Sequence, residues 1–292
     1  MWGYKQWFGR FYPEGTKQAD ALARYAERLT TVEGNTTFYA TPSEDVLDRW
    51  AGETPEQFRF CPKLPKTVTH NGDLAPRLGE ARRFLERCAR LGVRMGPLFG
   101  IIPDRHGPGR VGDLERFLEG WSRHVNEQFA DDDPLRPKLA LEPRCPEWYE
   151  AGHSGRLSAL LHAYGVARVL LDTRPVYSVK ARARHGDPQE GKAHRKPELP
   201  VSLALTASFT FIRFIAHPAP EVTGPYLAQW LPRVQAWLEQ GASVYFFAHC
   251  PDDTDSPDIA RRFHRALTAR GAPVDPLPWD SVSAPPSQLA LV

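Results

Sequence analysis

Three carboxylates, Glu33, Glu142 and Asp172, each end a short apolar segment of the chain. Carboxylates in different environments can divide the roles of general acid and general base, because their pKa values are pushed apart. Carboxylate oxygens also bind hard divalent cations. Apolar segments that each end in a carboxylate indicate a parallel barrel whose site lies at the carboxyl ends of its strands.

Two basic residues follow similar segments and could complete such a site. Lys63 ends segment 58–63, where its ammonium group could bind an anion or, when desolvated, act as a base or form a Schiff base. His249 follows segment 243–247, and an imidazole near its reference pKa transfers protons or binds metals. The predicted catalytic residues are therefore Glu33, Glu142, Asp172, Lys63 and His249.

A second set of residues, also near the ends of these segments, has the chemistry of a binding site. Aromatic rings suit the apolar face of a sugar or a base, while arginine, histidine and asparagine suit hydroxyl and anionic groups. We predict substrate binding by Trp2, Tyr4, Asn35, Phe38, Tyr39, His70, Arg144, Arg174, Arg213 and His217.

A network of ion pairs without chemistry is the alternative interpretation of the same charges. Its pairs would be Arg144 with Glu142, Arg174 with Asp172, and either Arg213 or Lys63 with Glu33.

Local spacing predicts no metal site. HxH, HExxH and CxxC patterns are absent from the sequence. Acidic and histidine residues on separate strands could still hold a divalent cation, so a metal cofactor stays open and no metal ligands are assigned. The four cysteines are widely spaced, which is typical of reduced thiols in a cytosolic protein.

The elements that would position these side chains alternate between strand and helix along the chain. The clearest helical stripe is Leu114, Phe117, Leu118, Trp121 and Val125. The alternation predicts an α/β fold, a TIM-type (β/α)8 barrel over residues 1–271, followed by a Pro- and Ser-rich tail over 272–292. Seven strand–helix units are visible where a barrel needs eight, so a truncated or missing first strand is left open. An incomplete barrel would have an open edge.

A basic segment, 180–196, lies in a polar stretch between the strands predicted around 170 and 211. It could be a lid that grips phosphate, or a patch for nucleic acid. A solvated surface loop is the interpretation we favour. Neither a Walker-type loop nor GxGxxG is present, so no nucleotide cofactor is indicated.

The composition of the sequence limits the classes of partner that we expect the protein to bind. The net charge of +2 is too small to indicate nucleic acid by itself. No run of about 18 apolar residues exists, and the first residues lack the apolar region of a secretory signal. We expect a cytoplasmic protein that does not enter the membrane and that binds a small molecule of anionic character.

Several ordered motifs resemble one known family. They are Trp2-Gly3-Tyr4-Lys5-x-Trp7-x-Gly9-x-Phe11-Tyr12-Pro13, the segment 32–39, Phe58-Arg59-Phe60-x-x-Lys63 followed by His70, and Glu142-x-Arg144 followed by Trp148. This order resembles the YecE-like family, the domain of unknown function seventy-two. The resemblance implies a TIM barrel related in shape to the xylose-isomerase-like group, with unassigned chemistry. A sugar-isomerase label for the family rests on analogy of fold.

The sequence departs from the family pattern at both ends. Family members usually have a strand ending in Gly-x-x-x-Trp before the tyrosine, whereas this sequence starts at Met1-Trp2. Many members carry Arg-x-His-Gly and Phe-Asn-Asn near the end, whereas this chain has His217 and His249 in shifted positions. The roles of those family residues therefore do not transfer to this chain.

Three functions follow as hypotheses. The first is an enzyme that acts on a small polar substrate, such as a sugar or sugar phosphate, by acid–base chemistry at the barrel mouth. The second is a non-catalytic binder of nucleic acid or of a partner through segment 180–196. The third is a metal-dependent phosphodiesterase.

Overall fold

Parallel strands that alternate with helices form the framework of the molecule. The computed structural model describes residues 2–191 and 195–282, without the side chain of Lys180. Parts of the predicted basic segment and of the predicted tail, namely 192–194 and 283–292, lie outside the described residues. The strands are β1 (Thr31–Gly34), β2 (Arg59–Pro62), β3 (Leu98–Ile102), β4 (Leu139–Pro143), β5 (Ala167–Asp172), β6 (Phe209–Ile215) and β7 (Ser243–His249).

Helices cover the outside of these strands. They are α1 (Ala21–Ala26), α2 (Glu44–Gly52), α3 (Lys66–Thr69), α4 (Leu78–Cys88), α5 (Val111–Gln128), α6 (Ala151–Ala163), α7 (Arg174–Tyr177), α8 (Val179–His185), α9 (Pro220–Glu239) and α10 (Ser256–Ala269). Short 3-10 turns occur at Lys5–Trp7, Gln18–Asp20, Asn35–Phe38, Ala75–Arg77, Ala89–Arg94, Pro108–Arg110, Pro146–Tyr149 and Pro278–Asp280. The predicted stripe of α5 is buried in the outer core, because it packs against the apolar backs of β3 and β4.

The strands pair in chain order and in parallel. β1 pairs with β2, and β3 to β7 form a five-stranded sheet. A single bridge from Lys63, just after β2, to Phe99 of β3 links the two sheets, and another joins Phe60 of β2 to Met95, which precedes β3. Parallel pairing of successive strands with helices between them is the architecture that the alternating sequence pattern predicts.

Complete closure into an eight-stranded barrel is not found in the described residues. Residues 2–20 form 3-10 turns and a single bridge between Phe8 and Tyr12, so no described strand precedes α1. β7 and β1 lie near one another without a ladder of hydrogen bonds between them. The fold is therefore a curved, mixed α/β arrangement of parallel strands with an open seam between β7 and β1.

A cavity of about 210 Å³ lies along this seam. Its walls include Thr31 of β1, Phe246 of β7 and Leu267 of α10. Glu33 and His249 also line it, so the seam is continuous with the carboxyl ends of the strands.

The inward face of the strands carries a shared apolar core. Phe99, Phe211 and Phe247 pack there with tilted rings, and the ring centroid of Phe211 lies 5.0 Å from that of Phe99 and 4.6 Å from that of Phe247. Side chains alternate between the two faces of a strand, so residues two positions beyond these point in the same direction. On β6 that residue is Arg213, and on β7 it is His249.

Residues after α10 pack back onto the start of the molecule. Leu277 is buried, the backbone N–H of Trp279 donates to the carbonyl of Arg28 at 3.3 Å, and the Trp279 ring lies 5.0 Å from that of Phe11. The predicted tail therefore has a packed beginning, over 272–282.

Candidate functional site at the carboxyl ends of the strands

Five of the predicted residues meet just above the inward apolar core. We call this set the polar layer, and its members are Glu33, Lys63, Glu142, Arg213 and His249. Each lies near the carboxyl end of its strand or follows that strand directly. The common direction of parallel strands thus gathers residues as distant in the sequence as Glu33 and His249.

Arg213 is the centre of the polar layer. Its Nε and Nη2 donate to the two carboxylate oxygens of Glu33 at 2.6 and 3.2 Å, and its Nη1 donates to Oε2 of Glu142 at 2.8 Å. All three side chains are almost completely buried. A planar guanidinium suits this forked geometry, which a lysine could not reproduce.

This arrangement keeps both carboxylates ionised. Burial alone would raise the pKa of Glu33, but Arg213 and His249 outweigh it and hold that pKa well below its usual value. Burial of Glu142 is likewise outweighed by Arg144 and Arg213, which lower its pKa to about 2. Neither carboxylate therefore exchanges protons near neutral pH, and both act as fixed negative charges.

Arg144 supports Glu142 from the loop after β4. Its Nε forms an ion pair with Oε1 of Glu142. The ion-pair interpretation predicts two pairs that are found at the polar layer. They are Arg144 with Glu142 and Arg213 with Glu33.

His249 lies between two acidic side chains. Its Nε2 is 3.2 Å from Oε1 of Glu33, and its Nδ1 is 3.7 Å from Oδ1 of Asp253. Burial opposes the protonated imidazole, but the two carboxylates outweigh it and raise the pKa of His249. The 3.7 Å contact is long for a hydrogen bond, so Nδ1 is the nitrogen that a ligand could engage.

Lys63 has the opposite electrostatic environment. Burial and the nearby charge of Arg213 lower the pKa of its ammonium group to about 8. Its Nζ lies 4.1 Å from the centroid of the Phe38 ring, which is a cation–π distance. A lysine with this pKa is partly neutral at slightly alkaline pH and can then accept a proton.

His70 and Asn35 lie beside the polar layer. The His70 ring is 5.0 Å from that of Phe38, and its Nδ1 is 2.7 Å from Oγ1 of Thr69. Burial and the charge of Lys63 lower the pKa of His70 to about 4, so its imidazole is neutral at pH 7. The Asn35 amide donates to Oε2 of Glu33 at 2.8 Å.

Two predicted aromatic residues lie at the edge of the opening. The Tyr4 hydroxyl donates to the carbonyl of Asp252, and Tyr4 lines the seam cavity together with Glu33. Tyr39 is 78% exposed and contacts the edge of Phe38 with ring centroids 5.2 Å apart.

Asp172 and Arg174 are placed away from the polar layer. Asp172 accepts hydrogen bonds from Nη2 of Arg174 at 2.7 Å and from Nε1 of Trp230 at 2.8 Å. Trp230 belongs to α9, so this carboxylate faces the outer helices. Leu171, one position earlier, takes the inward direction on β5, and Asp172 ties the strand to the helical layer instead.

Trp2 and His217 also lie elsewhere. Trp2 packs edge-on against Trp50 of α2, with centroids 4.9 Å apart. His217 is buried after β6, where its Nδ1 accepts from the N–H of Ala219 at 3.0 Å and its ring lies 5.5 Å from that of His185.

Two residues near the polar layer are absent from the sequence-based predictions. Asp253 follows β7 and contacts His249, and the i, i+4 spacing of this pair is the signal that could have indicated it. Lys196 comes from the predicted basic segment, and its charge acts on Glu33, Glu142 and Arg213. A loop of many basic residues contains no signal that one of them is turned inward.

Among the described residues around the opening, positive charges outnumber negative ones. Arg144, Arg213, Lys63 and Lys196 contribute positive charge, while Glu33 and Glu142 contribute negative charge. His249, when protonated, forms a further pair of opposite charges with Asp253. An excess of positive charge in a largely buried opening favours an anionic ligand.

A divalent metal does not suit the polar layer, because the guanidinium of Arg213 occupies the position between the two carboxylates. A group with metal-ligand spacing among the described residues is Asp73, His106 and Asp113. The oxygens of Asp113 already accept the N–H groups of Leu74 and Ala75 at 2.6 and 3.1 Å. Arg110 pairs with Asp73, so this group is committed to local structure as well.

Comparison with known proteins gives the family. The model of the family described as "Protein of unknown function DUF72" matches residues 1–282. The chain belongs to the DUF72 family. The resemblance inferred from the ordered motifs is thereby confirmed.

Relatives of this DUF72 protein cover most of its length. UPF0759 protein YecE of Escherichia coli strain K12 is 32% identical over 240 residues, which is 82% of this chain and 82% of that protein. The same-named protein of Escherichia coli O157:H7 is 31% identical over 240 residues, again 82% of each chain.

Solved DUF72 structures share the fold. The protein from Thermotoga maritima MSB8 superposes with a TM-score of 0.64 at 18% identity, covering 92% of this chain and 96% of that one. The protein from Enterococcus faecalis V583 superposes with a TM-score of 0.61 at 15% identity, covering 85% and 88%. Among the described residues of this DUF72 protein, no helix is both long enough and apolar enough to cross a membrane.

Proposed function

We propose that the polar layer binds a small, hydroxylated anionic substrate of the sugar or sugar-phosphate class and catalyses proton transfer within it. The observation that carries the proposal is the Arg213 bridge between two buried, ionised carboxylates, beside a lysine with a lowered pKa. An arrangement that separates the protonation states of neighbouring groups in one opening is typical of acid–base sites.

The groups divide the work by their protonation states. Lys63, with a pKa of about 8, is the candidate base that accepts a proton from the substrate. His249, whose pKa is raised by Glu33 and Asp253, is the candidate acid that donates one from Nδ1. Glu33 and Glu142 stay ionised and hold Arg213 and His249 in place.

The surroundings add binding groups for such a substrate. The exposed ring of Tyr39 and the ring of Phe38 provide an apolar wall that suits a sugar ring. The neutral imidazole of His70 and the amide of Asn35 can exchange hydrogen bonds with hydroxyl groups.

The other two hypotheses have less support. Arg182 and Arg195 of the basic segment both pair with Asp187, which reduces the charge available to a nucleic-acid backbone. A metal-dependent phosphodiesterase would need cations where Arg213 lies.

Proton exchange is the test, because it is detected on the substrate itself, whatever product is formed. The purified protein is incubated in D2O with panels of sugar phosphates, free sugars and hydroxy acids, and carbon-bound deuterium is followed by NMR. We expect exchange or conversion of a panel member that is lost in Lys63→Met and His249→Gln but kept in the matched surface control Lys17→Met. Full activity in Lys63→Met, or no exchange with any panel, would contradict the proposal.

A further inference from the structure

The cavity along the seam between β7 and β1 is elongated. On β7 its lining runs from Val244 to His249, which is about 16 Å at the rise of a strand. On α10 the lining runs from Ser256 to Leu267, which is again about 16 Å at the rise of a helix. A volume of about 210 Å³ spread over this length suits a flexible chain better than a compact ring system.

The walls of the seam cavity are largely apolar. Val234 and Leu238 of α9, Phe246 of β7 and Phe263 of α10 line it, as does Leu277 from the segment after α10. Apolar cavities of about 150 Å³ in protein cores already bind small hydrocarbons. The seam cavity is therefore large enough for an aliphatic group.

A pair of polar groups lies at the end of the seam cavity that meets the polar layer. Nδ1 of His249 is 3.7 Å from Oδ1 of Asp253, which is too far for a direct hydrogen bond, and both residues line the cavity. The other nitrogen, Nε2, faces Glu33 at 3.2 Å. A hydroxyl group beside the pair can accept from a protonated Nδ1 and donate to the carboxylate, because it is both a donor and an acceptor.

Asp253 is held in place from two directions. Its carbonyl accepts from Nε1 of Trp7 at 3.0 Å, and its Oδ1 accepts from Oγ of Ser256 at 3.1 Å. Its φ is 54°, and among the described residues it is the one non-glycine in the left-handed region. A carboxylate fixed in this way offers a ligand an acceptor in a defined position.

The charges along the seam cavity select a neutral head group. The arginine and lysine side chains that favour an anion at the opening do not line this cavity, so a carboxylate here would meet the charge of Asp253. An ammonium group has no lone pair for the Nδ1 proton of His249 and carries the same sign of charge. A hydroxyl group engages both His249 and Asp253 without adding a charge.

We propose that the seam cavity binds a linear aliphatic alcohol, with its chain between β7 and α10 and its hydroxyl group at His249 and Asp253. This site goes beyond the proposed function, because binding there requires no proton transfer. The two sites share Nδ1 of His249 in the same protonated state, so a bound alcohol should compete with the substrate of the polar layer.

The straight-chain primary alcohols hexanol and octanol are the probes, and their affinities are measured by isothermal titration at pH 6.5, where His249 is protonated because its pKa is raised. We expect saturable binding that tightens by about two- to fourfold per added methylene, since each one buries apolar surface. Octanoate and octylamine keep the chain and change the head group, and we expect them to bind about tenfold or more weakly than octanol.

The location is tested by filling the cavity. Ala260→Leu fills it from α10 and Ala248→Leu from β7, whereas Ala269→Leu is the matched control at the exposed end of α10. We expect both filling variants to lose about tenfold or more in octanol affinity and the control to keep it. Thermal unfolding verifies that each variant is folded.

The head-group contact is tested by Asp253→Asn, since asparagine tolerates a positive φ and only the charge is removed. We expect octanoate to gain about fivefold or more relative to octanol in this variant. An unchanged preference would overturn the contact with Asp253.

The outcomes separate this proposal from the proposed function. No saturable octanol binding to the wild type, or full affinity in folded Ala260→Leu and Ala248→Leu, overturns the cavity assignment. Tighter binding of octanoate or octylamine than of octanol overturns the choice of an alcohol. Proton exchange that depends on Lys63 leaves the proposed function standing in each case, whereas octanol binding without exchange on any panel contradicts the proposed function alone.

Discussion

Arg213 determines the protonation of its neighbours, because it lies between two carboxylates that would otherwise repel each other in a buried site. Glu33 and Glu142 are predicted from the sequence as proton-transfer groups. The contacts of Arg213 instead make them permanent anions, and the groups left to exchange protons are Lys63, with a pKa of about 8, and His249, whose pKa is raised. The sequence indicates which residue types meet, but not which of them the ion pairs hold in one protonation state.

Replacement of Arg213 should strongly destabilise the fold. We expect Arg213→Met to reduce the free energy of unfolding by about 3–5 kcal/mol, because it removes the positive charge that lies between two buried carboxylates. Urea unfolding measures this, with Arg184→Met as the surface control. Adding Glu33→Gln and Glu142→Gln should recover part of the loss, and a loss below about 1 kcal/mol in Arg213→Met would contradict the bridging role.

Glu142 should make the free energy of unfolding sensitive to acid. Its pKa is about 2 in the folded protein against 4.5 in an unfolded chain, so it stabilises the fold above pH 4.5. That contribution is lost as the pH falls from about 4.5 towards 2. We expect Glu142→Gln to be less stable than the wild type at pH 7 and to lose less stability over this range. Parallel acid-unfolding slopes for the two proteins would exclude this contribution, and Glu14→Gln is the exposed control.

His249 should have the opposite effect on the pH dependence of stability. Its pKa is raised in the folded protein, so the contacts with Glu33 and Asp253 stabilise the fold fully below about pH 6.5. The contribution disappears as the pH rises through the raised value. Unfolding curves from pH 5 to 9 should therefore show a fall in stability that His249→Gln removes, and an identical fall in both proteins would refute this source.

At the scale of elements, the sequence predicts where the strands lie and in which direction they run. It predicts only in part which face of the sheet each side chain takes. The strands at 98–102, 168–172 and 209–214 are predicted close to their observed bounds, because apolar runs between helical stripes are strong signals. On β5 the run Val169–Leu171 is apolar throughout, so no alternation shows which face each side chain takes.

The face of the sheet that each β5 side chain takes is determined by contacts that form only in the folded protein. Arg168 is buried on the outer side, where its Nη2 donates to the carbonyl of Trp148 at 3.2 Å and its Nη1 to Ser154 at 3.1 Å. Two and four positions later, Leu170 and Asp172 share that side. A residue at a strand's end therefore enters the site only if its position in the alternation is inward.

The variant Asp172→Asn tests whether Asp172 stabilises the fold or takes part in the candidate site. It removes the charge that Arg174 and the Trp230 N–H engage, so we expect a loss of about 1–3 kcal/mol in unfolding free energy. Proton exchange on the substrate panel should stay within about twofold of the wild type, since the side chain faces α9. Loss of exchange in a folded Asp172→Asn protein would return this residue to the site.

At the scale of the whole molecule, the open seam between β7 and β1 is the main departure from a closed barrel. The family motifs and the strand–helix alternation indicate the barrel-like order of elements, and the count of seven units already points to an incomplete ring. The cavity along the seam and its continuity with Glu33 and His249 depend on packing between distant segments, which sequence patterns do not contain.

Hydrogen exchange should reveal the seam. β4 and β5 have paired neighbours on both sides, whereas β1 and β7 each pair on one side. We expect some amides of β1 and β7 to exchange faster than those of β4 and β5, because an edge strand leaves backbone groups unpaired. Mass-spectrometric exchange at the peptide level measures this, and equal protection of β4, β5 and β7 would show a closed arrangement.

The most direct measurement is the titration of the lysine side chains by NMR, using 13C-labelled lysine and the variants Lys63→Met and Lys196→Met for assignment. We expect Lys63 and Lys196 to titrate at about pH 8, because burial and the charge of Arg213 disfavour their protonated forms. Both amines titrating near 10.5 would contradict an acid–base site at the carboxyl ends of the strands.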